Sequence, residues 1–129
     1  MTLTMEKAVT LPVFDGKQES FQVQWLQLRA YARLHQFSQA IGDGLETDMP
    51  EDSNIVPVAT TAAGKAALAA IKRNDTAMAV LTIALKGPKT IHMVVQAKTE
   101  AWPEGEAHKV IAALMREYKP TDVGALASW

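Results

Sequence analysis

The sequence of this 129-residue chain contains no cysteine, which excludes a disulfide framework, a thiolate zinc site and a cysteine nucleophile. It also lacks a surplus of either charge: 13 basic side chains face 14 acidic ones, for a net charge of −1. A balance of that kind gives no electrostatic footprint for nucleic acid or for an anionic membrane. The start, MTLTMEKAVTLPVF, has no basic stretch followed by a long apolar run, so it is not a secretory signal. No run approaches the ~18 apolar residues that a membrane-spanning helix needs. Aromatics are scarce, at three Trp, two Tyr and three Phe, yet Phe14, Phe21 and Trp25 cluster around one helix start. What is present is ordinary globular material, 48% hydrophobic and 21% charged. The expectation is one soluble, intracellular domain.

Local signals divide the chain. Residues 1–15 read as an extended arm, because Pro12 biases Leu11 away from helix and Asp15-Gly16 supplies a turn. Residues 20–40 read as a helix capped by Ser20 and stopped by Gly42. On it Phe21, Trp25, Leu28 and Ala32 share one side, while Leu26, Ala30, Leu34, Phe37 and Ile41 share the other. A helix apolar on two sides is expected to be sandwiched at the centre of a bundle. Residues 42–57 form a loop bearing Asp43, Glu46, Asp48, Glu51 and Asp52. A second long helix over residues 60–86 carries the stripe Ala67, Ala70, Ile71, Asn74, Met78, Leu81 and Leu85. Val80 and Ile83, off that stripe, hint that its second half is also covered twice.

Gly87-Pro88 breaks the chain, and residues 89–99 suit either a short strand or a short helix; helices on both sides favour helix. The last helix, residues 104–118, puts Ala107, Ile111, Leu114 and Tyr118 on one face. Glu104 and Glu106 near its start, and Arg116 and Lys119 near its end, suit the helix dipole. Pro120 ends it, and residues 121–129 read as a linker or the start of another helix, cut within a longer protein.

Chemistry-bearing patterns are missing. His35, His92 and His108 sit on three separate helices, and none forms the spacing that puts two imidazoles on one helix face. The acidic loop lacks the alternating acids, central glycine and terminal glutamate that wrap calcium. No glycine pattern cradles phosphate, and no serine stands in a nucleophile elbow. Lys72 and Arg73 read as a solvated helix face before they read as phosphate ligands, and the methionines read as packing. No catalytic residue, cofactor site or metal site is expected.

One resemblance does emerge. Phe14-Asp15-Gly16, then Phe21 and Trp25 and on to Tyr31, is similar to the start of the Gag polyprotein of copia-type LTR retrotransposons. KRNDTAMAVLTIAL, residues 72–85, resembles that family's second signature, and EAHKVIAALMREYKP, residues 106–120, resembles its helix ending in Leu-x3-Tyr, here Leu114 and Tyr118. Val110 stands where the family often has tryptophan, and the acidic loop is long. The resemblance covers residues 11–118 and implies an all-α, retroviral-capsid-like bundle with an extended N-terminal arm (1–15) and an N-terminal capsid lobe (16–120). Its structural core would be Phe14, Gly16, Phe21, Trp25, Leu28, Leu81, Leu114 and Tyr118. It further implies no enzyme, but self-assembly into a virus-like particle in the cytoplasm, touching element RNA only through segments outside this sequence, with no membrane and no small-molecule substrate. A domesticated Gag-like module that binds a protein or peptide is the alternative, with Val9, Leu11 and Val13 of the arm as candidate groove contacts.

Overall fold

The structure is a computed structural model, and it describes residues 11–42 and 46–118. Among the described residues five helices follow one another: α1 (Gln18–Leu34), α2 (Ser38–Ile41), α3 (Ala62–Ala84), α4 (Pro88–Gln96) and α5 (Ala107–Tyr118). The described residues contain no strand, so the all-α expectation holds, and the ambiguous stretch 89–99 is helical as far as Gln96. One isolated parallel bridge joins Phe14 to Leu85, with the Phe14 N–H donating to the Ala84 carbonyl at 2.9 Å. Residues 1–10 of the arm, residues 119 and 120 of the expected lobe, and the expected linker or helix start at 121–129 lie outside the described residues.

The start of α1 is set by a side chain, not by the expected Ser20 cap. Asp15 Oδ1 accepts from the Lys17 N–H at 2.9 Å, and this turn puts the N-cap at Lys17. The same bond is the largest influence on the Asp15 carboxyl and holds it below the usual carboxylate range.

The end of α1 also departs from expectation, since the single helix over residues 20–40 is two. The Phe37 N–H reaches back to the Ala32 carbonyl at 2.9 Å and the Gln36 N–H to the Arg33 carbonyl at 3.4 Å. Gln36 between them has φ +62, the left-handed conformation. This is a Schellman stop with glutamine where glycine is usual, and its absent glycine is why the break is hidden in the sequence. The buried pair Ala32 and Phe37 provides the apolar contact that accompanies such stops. A left-handed non-glycine costs ~1 kcal/mol or more. Gln36→Gly is therefore expected to raise the unfolding midpoint by the equivalent of ~0.5–1 kcal/mol, read by urea denaturation followed by circular dichroism. An unchanged midpoint would show that the side chain of Gln36 compensates its own strain.

The break redirects the chain. Phe37, Ala40 and Ile41 turn inward and are buried, and α2 packs against α1, α3 and α5. Leu26, Ala30 and Leu34 of the same expected face stay outside: Leu26 is 52% and Leu34 48% exposed. The expectation of a doubly covered central helix is thus overturned for α1 among the described residues, where its Phe21, Trp25, Leu28 and Ala32 side is buried and its Leu26 and Leu34 side is exposed.

Helix α3 is the long spine. Thr61 caps it by accepting from the Gly64 N–H at 2.9 Å. Ala70, Asn74, Met78 and Leu81 of the expected stripe are buried, as is Leu85 just past its end. Val80 packs against the core, whereas Ile83 is 54% exposed, so the second half of α3 is covered on one side and part of a flank. Pro88 at the first position of α4 needs no N–H there, which lets the chain re-enter helix directly after Gly87.

Helix α5 begins at Ala107, three residues later than expected. The turn before it closes when the Gly105 N–H donates to the Trp102 carbonyl at 2.8 Å, with Gly105 at φ +90. A side chain there would be strained, and its first carbon would come within 2.8 Å of Met78 Cε. Glu104 therefore stands outside the helix. Glu106 just precedes it, where its carboxylate faces His108 Nε2 at 2.9 Å and Lys109 Nζ at 3.1 Å. Ala107, Val110, Ile111, Leu114 and Tyr118 are all buried on its inner face.

Candidate functional site

The aromatic cluster around the start of α1 is interior. Phe14, Phe21 and Trp25 are 1%, 3% and 6% exposed. The rings of Phe14 and Phe21 lie 5.7 Å apart, and Phe21 stacks on Tyr118 at 5.3 Å. Gln18 Nε2 adds a bond to the Tyr118 carbonyl at 3.3 Å, tying the start of α1 to the end of α5. Gly16 adopts φ +80; a side chain there would meet the Tyr118 hydroxyl at an ordinary 3.8 Å, so the backbone conformation requires glycine, not lack of space. Leu28, Leu81 and Leu114 are fully buried in the same core. Seven of the eight signature positions thus converge on one packing cluster, and Gly16 is exposed at the turn beside it.

Of the three arm contacts expected from sequence, Val9 lies outside the described residues, Leu11 is half-buried and Val13 is 38% exposed. The bridge at Phe14 holds this extended segment against the end of α3.

No group of three histidine, aspartate or glutamate side chains is placed to hold a metal among the described residues. The His35 ring packs on Tyr31 at 4.3 Å, and His92 is exposed. Arg73, read from the sequence as part of a solvated helix face, is instead partly buried and gripped by Glu46 through two bonds of 2.7 and 2.8 Å. The Glu46 hydrogen bonds hold the guanidinium above its ordinary pKa. The pair staples the acidic loop onto α3, and its side chains are only 19% and 4% exposed. Lys72 beside it is exposed.

An open cleft of about 350 Å³ lies between α3 and the turn before α5, lined by Asp75, Met78, Ala79, Thr82, Lys98 and Glu104. Partial burial, with the neighbouring Glu104 charge adding to it, raises the Asp75 carboxyl above its usual range. Because that pKa is raised on folding, the native state holds the proton more tightly than the unfolded chain. The contribution to stability is largest at low pH and is lost as pH rises through the folded pKa. Asp75→Asn is accordingly expected to stabilise the protein at neutral pH by up to ~1 kcal/mol, the small value suited to an exposed group. The gain should vanish below about pH 3, where aspartate is protonated in both states. Thermal midpoints of the two proteins measured across pH check this; a gain that persists in acid would remove the charge as its cause.

Two surfaces that sequence reasoning missed are apolar and open. One is the outer side of α1, with Val23 at 57% exposure beside Leu26 and Leu34. The other is in the α2–α3 connection, where Ile55 is 49%, Val56 84% and Val58 59% exposed. The first was legible as an apolar face and mistaken for a buried one. The second was signalled by the run Ile55-Val56-Pro57-Val58 inside an otherwise polar loop. No described helix is long and apolar enough to cross a membrane. Comparison with known proteins finds no matching family model, no matching curated protein and no matching solved structure.

Proposed function

We propose that this chain is the N-terminal capsid lobe of a Gag protein of the copia-type LTR retrotransposon kind, and that its role is self-assembly. On this reading copies join in the cytoplasm into a virus-like particle that encloses the element's RNA. The RNA is gripped by other segments of the polyprotein, and the lobe carries out no catalysis. The resemblance at Phe14, Gly16, Phe21, Trp25, Leu114 and Tyr118 motivates the family. The observation that carries the assembly role is the outer side of α1. Three large aliphatic side chains, Val23, Leu26 and Leu34, stand about half exposed on one helix face. Contiguous apolar surface of that kind marks interaction sites. Many weak contacts of this sort sum to a stable shell because closed symmetry makes them simultaneous.

A second reading, a domesticated Gag-like module that holds a peptide, is favoured by the parallel bridge between Phe14 and Leu85. That bridge already secures one extended segment against the bundle, as a peptide ligand would be secured. Electron microscopy and light scattering of the purified protein over a range of salt and concentration separate the two. Shells, tubes or regular oligomers support the capsid lobe. A persistent monomer that captures apolar or proline-containing peptides supports the module and displaces the first reading.

A further inference from the structure

The two open apolar surfaces differ in the charges that neighbour them in sequence, arginines along α1 and carboxylates in the α2–α3 connection. On α1, Val23, Leu26, Ala30 and Leu34 recur at i, i+3, i+7 and i+11, on the side turned away from Trp25 and Leu28. Arg29 and Arg33, both exposed, run along one border of this strip. In the α2–α3 connection, the exposed Ile55, Val56 and Val58 follow Asp48 and Glu51, which are also exposed.

The connection is anchored, not loose. Trp102 Nε1 donates to the Pro50 carbonyl at 3.2 Å, and the Ser53 N–H donates to the Ala101 carbonyl at 2.8 Å. Asp52 Oδ1 accepts from the Asn54 N–H at 2.7 Å, and the Ile55 N–H donates to the Asp52 carbonyl at 3.1 Å. The apolar tip is therefore presented in a fixed shape, which lowers the entropy lost when it binds.

Two strips facing each other would bring the same arginines together, and two tips the same carboxylates. A strip facing a tip pairs apolar with apolar and cation with carboxylate. We propose that residues 55–58 of one copy dock on the outer strip of α1 of a second copy, with Asp48 and Glu51 beside Arg29 and Arg33. This rests on the assembly role above and identifies its contact. Because the two surfaces differ, the contact is heterologous, so each copy keeps one free strip and one free tip. Repetition closes into a ring or extends into a chain, depending on the rotation between copies.

A complementation experiment tests it. Ile55→Ser/Val56→Ser removes the tip, and Leu26→Ser/Leu34→Ser removes the strip; all four positions are about half exposed or more, and circular dichroism confirms that each variant folds. In sedimentation velocity the unaltered protein is expected to form concentration-dependent oligomers, weakening with salt. Each variant alone is expected to be monomeric, and an equimolar mixture to form a dimer and nothing larger, since the mixed pair retains one complete contact. In a separate arm, Arg29→Glu/Arg33→Glu is expected to weaken association by about tenfold or more, and adding Asp48→Arg/Glu51→Arg in the same chain to restore it. Oligomers that survive in the tip variant, or a mixture that stays monomeric while the unaltered protein associates, overturn this contact and leave the assembly role standing. An unaltered protein that stays monomeric at every concentration and salt overturns both.

Discussion

Replacing Trp25 with alanine is expected to lower the unfolding free energy by ~3–5 kcal/mol, the range for aromatic truncation in a packed core. The ring is 6% exposed and belongs to the same buried cluster as Phe14, Phe21, Leu28, Ala32 and Phe37. It sits at the middle of α1, on the side by which that helix is attached to the bundle. Because α1 buries one side only, the cavity left by the indole cannot be closed by a second layer, and the helix has to shift bodily or leave a void. For a chain of this length the loss corresponds to a thermal midpoint lower by about 10–20 °C. Circular dichroism is the proper readout, since the substitution removes a fluorophore. Leu26→Ala, one residue along and 52% exposed, is the matched control. It is expected to change stability by less than ~0.5 kcal/mol, as surface substitutions do. Near-equal effects at the two positions would mean that α1 is oriented differently about its axis.

The inner half of this fold was legible because it rests on period. Phe21, Trp25, Leu28 and Ala32 at helical spacing are buried, as are Met78 and Leu81 on α3 and Ile111, Leu114 and Tyr118 on α5. Periodicity reports which residues share a side, but not whether anything covers it. That is why Leu26 and Leu34 read as interior while being exposed, and why the surface proposed here for assembly looked like core. The Schellman stop at Gln36 was invisible for a related reason: a left-handed residue is announced by glycine or asparagine, and here tertiary burial of Phe37 imposes the conformation on glutamine. Helix starts failed where a distant or off-pattern side chain decides them. Asp15 moved the start of α1 forward, and a group on α3 moved the start of α5 back.

That group is Asn74, and its substitution by leucine is expected to be the second large effect. Asparagine sits in the middle of an apolar stripe and is 3% exposed, a placement that costs free energy unless its polar atoms are used. They are: Nδ2 donates to the Gly105 carbonyl at 2.9 Å, and Oδ1 accepts from the Ala107 N–H at 2.8 Å. One side chain of α3 thus satisfies a free donor in the first turn of α5 and fixes the left-handed Gly105 turn before it. No buried side-chain polar atom is left unpaired among the described residues, so the arrangement is complete as it stands. Leucine has the same branched skeleton of heavy atoms with somewhat bulkier ends, so Asn74→Leu removes two hydrogen bonds without opening a cavity. It strands one buried N–H and one buried carbonyl, each costing ~1–3 kcal/mol. A total loss of ~2–5 kcal/mol follows, with hydrogen exchange accelerated first at Ala107 and the next two amides of α5. Asn74→Asp is the informative companion, because it keeps the acceptor for Ala107 and loses the donor for Gly105. It is expected to preserve amide protection at the start of α5 while loosening the turn. If both variants lose protection equally across all five helices, Asn74 supports the whole core and not the junction. If leucine is tolerated without loss, the start of α5 is held by the packing of Val110 and Leu114 alone.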